Sequence, residues 1–188
     1  MEQLTLNIIN KSKTKVIASS AYNFKIGLLE ALGKDDLPDI LSISKELSEI
    51  YGNHVLIDTK NINKYFNDKT LPFIARNNDK IIGFIIGVPL EYFKNENWSK
   101  YDVNLGKKNT LYTYAFIINK KYRKSGGYGK TLKRIYINWA KKRNYKFVSG
   151  HVAQGISKNF GSKAEIIKIF SNWYGTKISF EYYRRSLL

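Results

Sequence analysis

At 188 residues the chain has room for one domain with a sizeable core. It has no cysteine and two histidines, which excludes disulfides, thiolate metal sites and a cysteine nucleophile and argues against any metal held by protein side chains alone. Residues 1–102 carry 13 basic and 13 acidic side chains and residues 103–164 carry fifteen basic and no acidic ones, so the formal charge of +17 is an asymmetric field that concentrates anions: a nucleotide cofactor, a nucleic acid or an acidic protein surface.

The chain opens on Glu2 and polar residues rather than on a basic patch and an apolar stretch, so we expect no signal peptide and a cytoplasmic location. Residues 1–21 combine an alternating start, Leu4, Leu6 and Ile8, with a Lys/Ser/Thr-rich stretch, and read as a peripheral strand or an arm ahead of a domain over residues 22–188. Phe24 to Leu32 predicts a strand. Asp35-Asp36-Leu37-Pro38 then supplies an N-cap and a first-turn proline. Leu37, Ile40, Leu41, Ile43, Leu47 and Ile50 follow at helical spacing up to Gly52.

A second short helix is expected over Thr59 to Asn67. Pro72 to Arg76 and Ile81 to Val88 predict a hairpin turning at Asn77-Asn78-Asp79, with small residues at Gly83 and Gly87. The run from Ile81 to Leu90 is about half of what a membrane-spanning helix needs, so no membrane role is expected. After a polar, aromatic loop around Trp98, Leu111 to Ile118 predicts a strand. Gly127 to Asn144 predicts a helix whose apolar face holds Leu132, Ile135, Tyr136, Trp139 and Ala140, with Lys130, Lys133, Lys141 and Lys142 largely outside it. Phe147 to Val152 reads as a strand, Ser162 to Tyr174 as a helix closed by Gly175, and Lys177 to Tyr183 as the last strand.

The segment from Tyr122 to Thr131 places three glycines and three cations between a strand and a helix, the layout of a pyrophosphate cradle: glycine lets backbone N–H groups approach an anion, and the helix adds its positive N-terminal end. Gly129-Lys130-Thr131 matches the end of an NTPase P-loop. Position 124, where that motif needs glycine, is Lys, and no acid lies between Asp102 and Glu165 to hold magnesium. A dinucleotide fingerprint fails as well, because its glycine pattern is incomplete and no acid stands about twenty residues downstream. A glycine turn that merely starts a helix leaves the four cations from Lys121 to Lys130 unexplained.

Ile118-Asn119-Lys120-Lys121-Tyr122-Arg123 followed by Gly127-Tyr128-Gly129-Lys130-Thr131-Leu132 resembles the strand-loop-helix signature of GNAT-superfamily N-acetyltransferases, and the order of elements over residues 22–187 is similar to theirs. The resemblance implies a three-layer α/β (α+β) fold, a central mixed, mostly antiparallel sheet flanked by helices. It also implies acetyl-CoA as cosubstrate, with no metal. The family's Arg/Gln-x-x-Gly-x-Gly/Ala loop falls on Arg123, Lys124, Ser125, Gly126, Gly127, Tyr128, Gly129, Lys130 and Thr131. Arg123 lies one residue too far from Gly127, so either Lys124 takes the Arg/Gln place or the loop holds an insertion.

In such enzymes the acceptor amine attacks the thioester directly in a ternary complex, so positioning does most of the work. By resemblance, backbone groups of Phe116 and Ile118, flanking Ile117, would hold the pantetheine arm, and a strand N–H would polarise the thioester carbonyl. The amine needs a base, and the acid-free stretch rules out a Glu on the cofactor strand. His151 and Glu91 are the candidates, although a lone strand histidine is more often a packed side chain. The family's acid is a Tyr on its last helix; Ser171 falls near that position, with Tyr174 three residues out of step.

The implied function is acetyl transfer to an amine. The basic field argues against a polyamine acceptor and for an acidic protein, a nucleic acid or an RNA-linked amine. Tyr128, Tyr136, Trp139 and Tyr145 interleave with the cations and read as core at helical spacing or as stacking surfaces. The alternative is a module of the same fold, without catalysis, that binds nucleic acid or an acidic partner. Monomer and homodimer both fit.

Overall fold

The structure, a computed structural model, describes residues 9–20, 23–67, 69–124 and 126–188. In chain order its elements are β1 (Lys13–Ser19), β2 (Phe24–Ala31), α1 (Leu37–Tyr51), α2 (Ile62–Tyr65), β3 (Leu71–Asn77), β4 (Lys80–Pro89), β5 (Thr110–Ile118), α3 (Tyr128–Lys141), β6 (Phe147–Ala153), β7 (Ala164–Phe170) and β8 (Phe180–Ser186). The strands form one mixed sheet in the order β1-β2-β3-β4-β5-β6-β8-β7. β5 and β6 run parallel, whereas β1 with β2, β2 with β3, β6 with β8 and β7 with β8 are antiparallel. Packing separates two units, Met1–Ile86 with Phe116–Leu132 and Gly87–Ala115 with Lys133–Leu188.

In the first unit, Ile40, Ile43 and Leu47 of α1 and Ile26, Phe73, Ile74, Ile82 and Phe84 of the strands are buried. Asp36 precedes α1 as expected but makes no side-chain cap. Its carboxylate, on a residue only 4% exposed, is taken by Arg76, whose Nη1 donates to Oδ1 at 2.7 Å. Asp39 accepts the Ile81 N–H at 3.0 Å, which ties the first turn of α1 to the hairpin. That hairpin turns at Asn78 and Asp79, with φ of +49° and +65°, the left-handed pair that suits strand twist. Leu4, Leu6 and Ile8 lie outside the described residues; the Lys/Ser/Thr-rich Lys13–Ser19 forms the edge strand β1.

In the second unit the loop around Trp98 is ordered by two short 3-10 turns, Leu90–Phe93 and Asn97–Tyr101. Val88, Leu90, Trp98, Tyr112 and Tyr182 are buried together there. Asp102 anchors the end of this loop, accepting the Tyr182 hydroxyl at 2.6 Å and Arg184 Nη1 at 2.5 Å. Arg184 Nη2 also pairs with Glu165 at 2.6 Å. Gly87 makes room for Tyr136 of α3: a Cβ there would stand 2.6 Å from its hydroxyl oxygen.

Two expectations fail. The second helix is a single turn, Ile62–Tyr65. The helix over Ser162 to Tyr174 does not exist: Ala164–Phe170 is strand β7, and Ser157–Phe160 before it is a short 3-10 turn. The cause is a bulge in β7, since Ile166 faces Tyr183 while Lys168 faces the adjacent Tyr182. One extra residue breaks the two-residue alternation and leaves Ile166, Ile167, Ile169 and Phe170 at spacings that imitate a helix.

Candidate functional site

Gly126 and Gly127 stand just before α3 with φ of +62° and +63°. Each left-handed position costs a residue with a Cβ roughly 1–2 kcal/mol. A Cβ on Gly126 would also meet the Tyr128 ring at 2.6 Å, whereas at Gly127 the space is open. The Tyr128 ring is itself packed on Phe24 and Tyr122, with centroids 4.8 and 6.1 Å away.

The loop ahead of the helix divides between Arg123 and Lys124. Before that point every N–H has an acceptor. Asn119 donates to Ile82 O (2.8 Å), Lys120 to Glu46 Oε2 (2.8 Å), Lys121 to Asn119 Oδ1 (3.0 Å), Tyr122 to Asn119 O (2.8 Å) and Arg123 to Lys120 O (3.4 Å). The Arg123 side chain is engaged as well, with Nε on Ile118 O at 2.7 Å and Nη2 on Glu46 Oε2 at 2.8 Å. From Lys124 onward the first N–H with an acceptor among the described residues is that of Thr131, on Gly127 O at 3.0 Å.

Lys124, Gly126, Gly127 and Lys130 thus present N–H groups with no acceptor among the described residues, at a helix N-terminus and beside the exposed Lys124 and Lys130 side chains. Ser125 lies outside the described residues. This donor set fits a pyrophosphate: cationic, rich in N–H groups and open at Gly127. Of the pantetheine candidates, Ile117 and Ile118 are buried and Phe116 half-buried. All three lie past Thr113↔Gly150, the last pair of the β5–β6 ladder.

His151 lies on β6 in a nest of five rings. It stacks on Trp173 (centroids 3.8 Å) and Tyr182 (4.9 Å), and Trp98 (4.8 Å), Phe170 (5.6 Å) and Tyr112 (5.8 Å) close around it. Its Nδ1 is 2.8 Å from the Tyr112 hydroxyl, and its buried Nε2 has no hydrogen-bond partner among the described residues. Burial drives its pKa down to about 3 and raises that of the Tyr112 hydroxyl, so at neutral pH both groups are uncharged.

Glu91 sits in the turn after β4, where Oε1 accepts the Lys108 N–H at 2.7 Å and the buried Oε2 has no donor among the described residues. Tyr174 is on no helix. It occupies the Trp173–Gly175 turn between β7 and β8 with φ +47°, 60% exposed, its ring edge against Trp173. No sequence pattern marked Glu46, Tyr112 or Trp173, because each meets its partner only through the fold. Among the described residues no cluster of acids and histidines could hold a metal, and no helix is long and apolar enough to cross a membrane.

Comparison with solved structures finds the same fold. Ard1 from Thermoplasma volcanium superimposes with a TM-score of 0.62 at 15% identity, covering 88% of this chain and 99% of its own. The ribosomal-protein-S18-alanine N-acetyltransferase from Escherichia coli gives 0.64 at 17% identity, over 87% and 94%. An N-acetyltransferase from Staphylococcus aureus Mu50 gives 0.62 at 15%, over 88% and 99%. No curated protein matches by sequence. The family model described as acetyltransferase (GNAT) matches residues 38–159, well over half of the chain and including the glycine loop, so the chain belongs to the GNAT acetyltransferase family.

Proposed function

We propose that the protein transfers the acetyl group of acetyl-CoA to an amine. The observation that carries this reading is the group of N–H donors at Lys124, Gly126, Gly127 and Lys130 that find no acceptor among the described residues, at the start of α3 and flanked by lysines. Acetyl-CoA, when bound, supplies a thioester activated toward amines. Lys124, Gly126, Gly127, Tyr128, Gly129 and Lys130 hold its pyrophosphate, and backbone groups of Phe116 and Ile118 hold the pantetheine arm.

For the proton leaving the amine we assign His151 with Tyr112. The ring is neutral at working pH, and in the tautomer whose Nδ1–H donates to the Tyr112 hydroxyl oxygen the Nε2 lone pair is left to accept the proton. A conjugate acid at about 3 makes this a weak base. The acid limb of the pH–rate profile therefore reports the acceptor amine and not the histidine. Glu91, occupied with the Lys108 N–H, shapes the loop leading into β5. The leaving thiolate has no tyrosine on a helix after β6 to protonate it, since a short turn stands there. The basic field favours an acceptor carried by an acidic protein or an RNA.

Calorimetric titration with acetyl-CoA tests the reading. We expect saturable binding by the native chain, and its loss in Gly127→Val and Gly129→Trp variants that keep the native circular dichroism spectrum. No heat at millimolar acetyl-CoA, together with salt-sensitive RNA binding, would instead identify a non-catalytic binding module.

A further inference from the structure

We propose that Glu46 of α1 is the positioning residue of the cradle: it is anchored and neutralised by Arg123, which acts as a strut and not as a phosphate ligand, so that Lys124 is the cation that meets the pyrophosphate. The inference rests on the acetyl-CoA reading above. Glu46 accepts three hydrogen bonds from one short stretch: Asn119 Nδ2 on Oε1, and the Lys120 N–H and Arg123 Nη2 on Oε2, each at 2.8 Å. It projects from a helix fixed in the core by Ile40, Ile43 and Leu47, so the loop is referenced to a rigid element rather than to itself.

Charge explains why the pair must be complete. A carboxylate beside an anion site repels the anion unless a cation matches it. Arg123 supplies that cation while its Nε holds the carbonyl of Ile118, the last residue of β5. The pair is then close to neutral, and the attraction for phosphate falls to Lys124 and Lys130, which are exposed. Spacing agrees: Lys124 stands three residues before Gly127 and five before Gly129, whereas Arg123 is one residue too far.

A direct ligand and a strut respond differently to loss of Glu46. If Arg123 only neutralises and anchors Glu46, Arg123→Ala leaves a bare carboxylate near the pyrophosphate and weakens acetyl-CoA binding about tenfold, the scale of one charge-assisted contact. In a Glu46→Ala background the same substitution then has almost no further effect. Lys124→Ala weakens binding about tenfold in both backgrounds, and that loss shrinks at high salt because it removes an exposed ionic contact.

The experiment is calorimetry with acetyl-CoA on the native chain, the three single variants and the two double variants, at low and high salt. Equal losses from Arg123→Ala with and without Glu46 would show a direct ligand and overturn the proposal. So would a Lys124→Ala variant that binds like the native chain. A ligand-free measurement keeps the strut testable on its own: Glu46→Ala and Glu46→Gln should speed amide hydrogen exchange at Lys120 and Arg123, and Lys124→Ala should not. If the native chain binds no acetyl-CoA, the cofactor reading fails and the exchange result still decides the strut; unchanged exchange in the Glu46 variants overturns it.

Discussion

His151 is one of two histidines in the chain, and its surroundings decide its charge. Rings on every side offer little to replace the hydration of an imidazolium, so burial lowers its pKa to about 3. An unfolded chain protonates the same ring near 6.5. Because the folded value is the depressed one, the stabilisation is complete above pH 6.5 and is lost as pH falls toward 3, with a limiting slope of about 1.4 kcal/mol per pH unit. His54, also lowered by burial, adds to the loss in the upper part of that window. We therefore expect the urea midpoint to drop between pH 7 and 5, and His151→Phe to remove most of the drop; a slope unchanged by that substitution would assign the effect to His54 and the carboxylates. At this scale only contiguous features were legible in the sequence. The glycines of the cradle stand side by side, whereas Glu46 lies 73 to 77 positions from its partners and Tyr112 lies 39 from His151, separations that leave no local pattern.

Elements were legible where burial and periodicity agree. α3 is legible to within a few residues because Leu132, Tyr136, Trp139 and Ala140 are buried while Lys130, Arg134 and Lys141 are exposed. β7 reads as a helix because its bulge gives a strand helical spacing, although the β-branched Ile166, Ile167 and Ile169 favour a strand. Among the glycines of β4, Gly87 is a packing requirement, since a Cβ there would press on Tyr136 at 2.6 Å from the hydroxyl and 2.8 Å from the ring. Tyr136 is fully buried, so its ring has no open space to swing into and relief must come from the backbone. Gly87→Ala should lower stability by about 1–3 kcal/mol, the range for overpacking a core. Adding Tyr136→Phe should recover part of it in denaturant melts; a double variant no better than the single would place the clash elsewhere.

For the molecule as a whole, the asymmetry of charge outlasts folding only where the cations remain in solvent. Several of the fifteen in residues 103–164 are absorbed locally. Arg123 pairs with Glu46, Arg143 lies over Trp139 at 3.9 Å, and Lys133 lies over Phe160 at 3.6 Å. Burial, and then the charge of Arg185, lowers the Lys133 pKa to about 8. What remains outward includes Lys130, Arg134 and Lys141 of α3, with Lys142 after it and Lys120, Lys121 and Lys124 ahead of it. Such a field attracts polyanions without reading their sequence, and its strength falls steeply with salt as counterions compete. If the acceptor is carried by RNA, exchanging Lys130, Arg134 and Lys141 together for Gln should weaken binding of a labelled single-stranded RNA about tenfold or more near 50 mM salt. The gap should close by about 200 mM. Fluorescence anisotropy reads both effects. Because Lys130 also borders the cradle, an Arg134/Lys141 double variant separates the two roles: it should lose RNA while holding acetyl-CoA as tightly as the native chain. RNA binding that survives the triple exchange would detach the field from nucleic acid and turn the search for the acceptor toward acidic proteins.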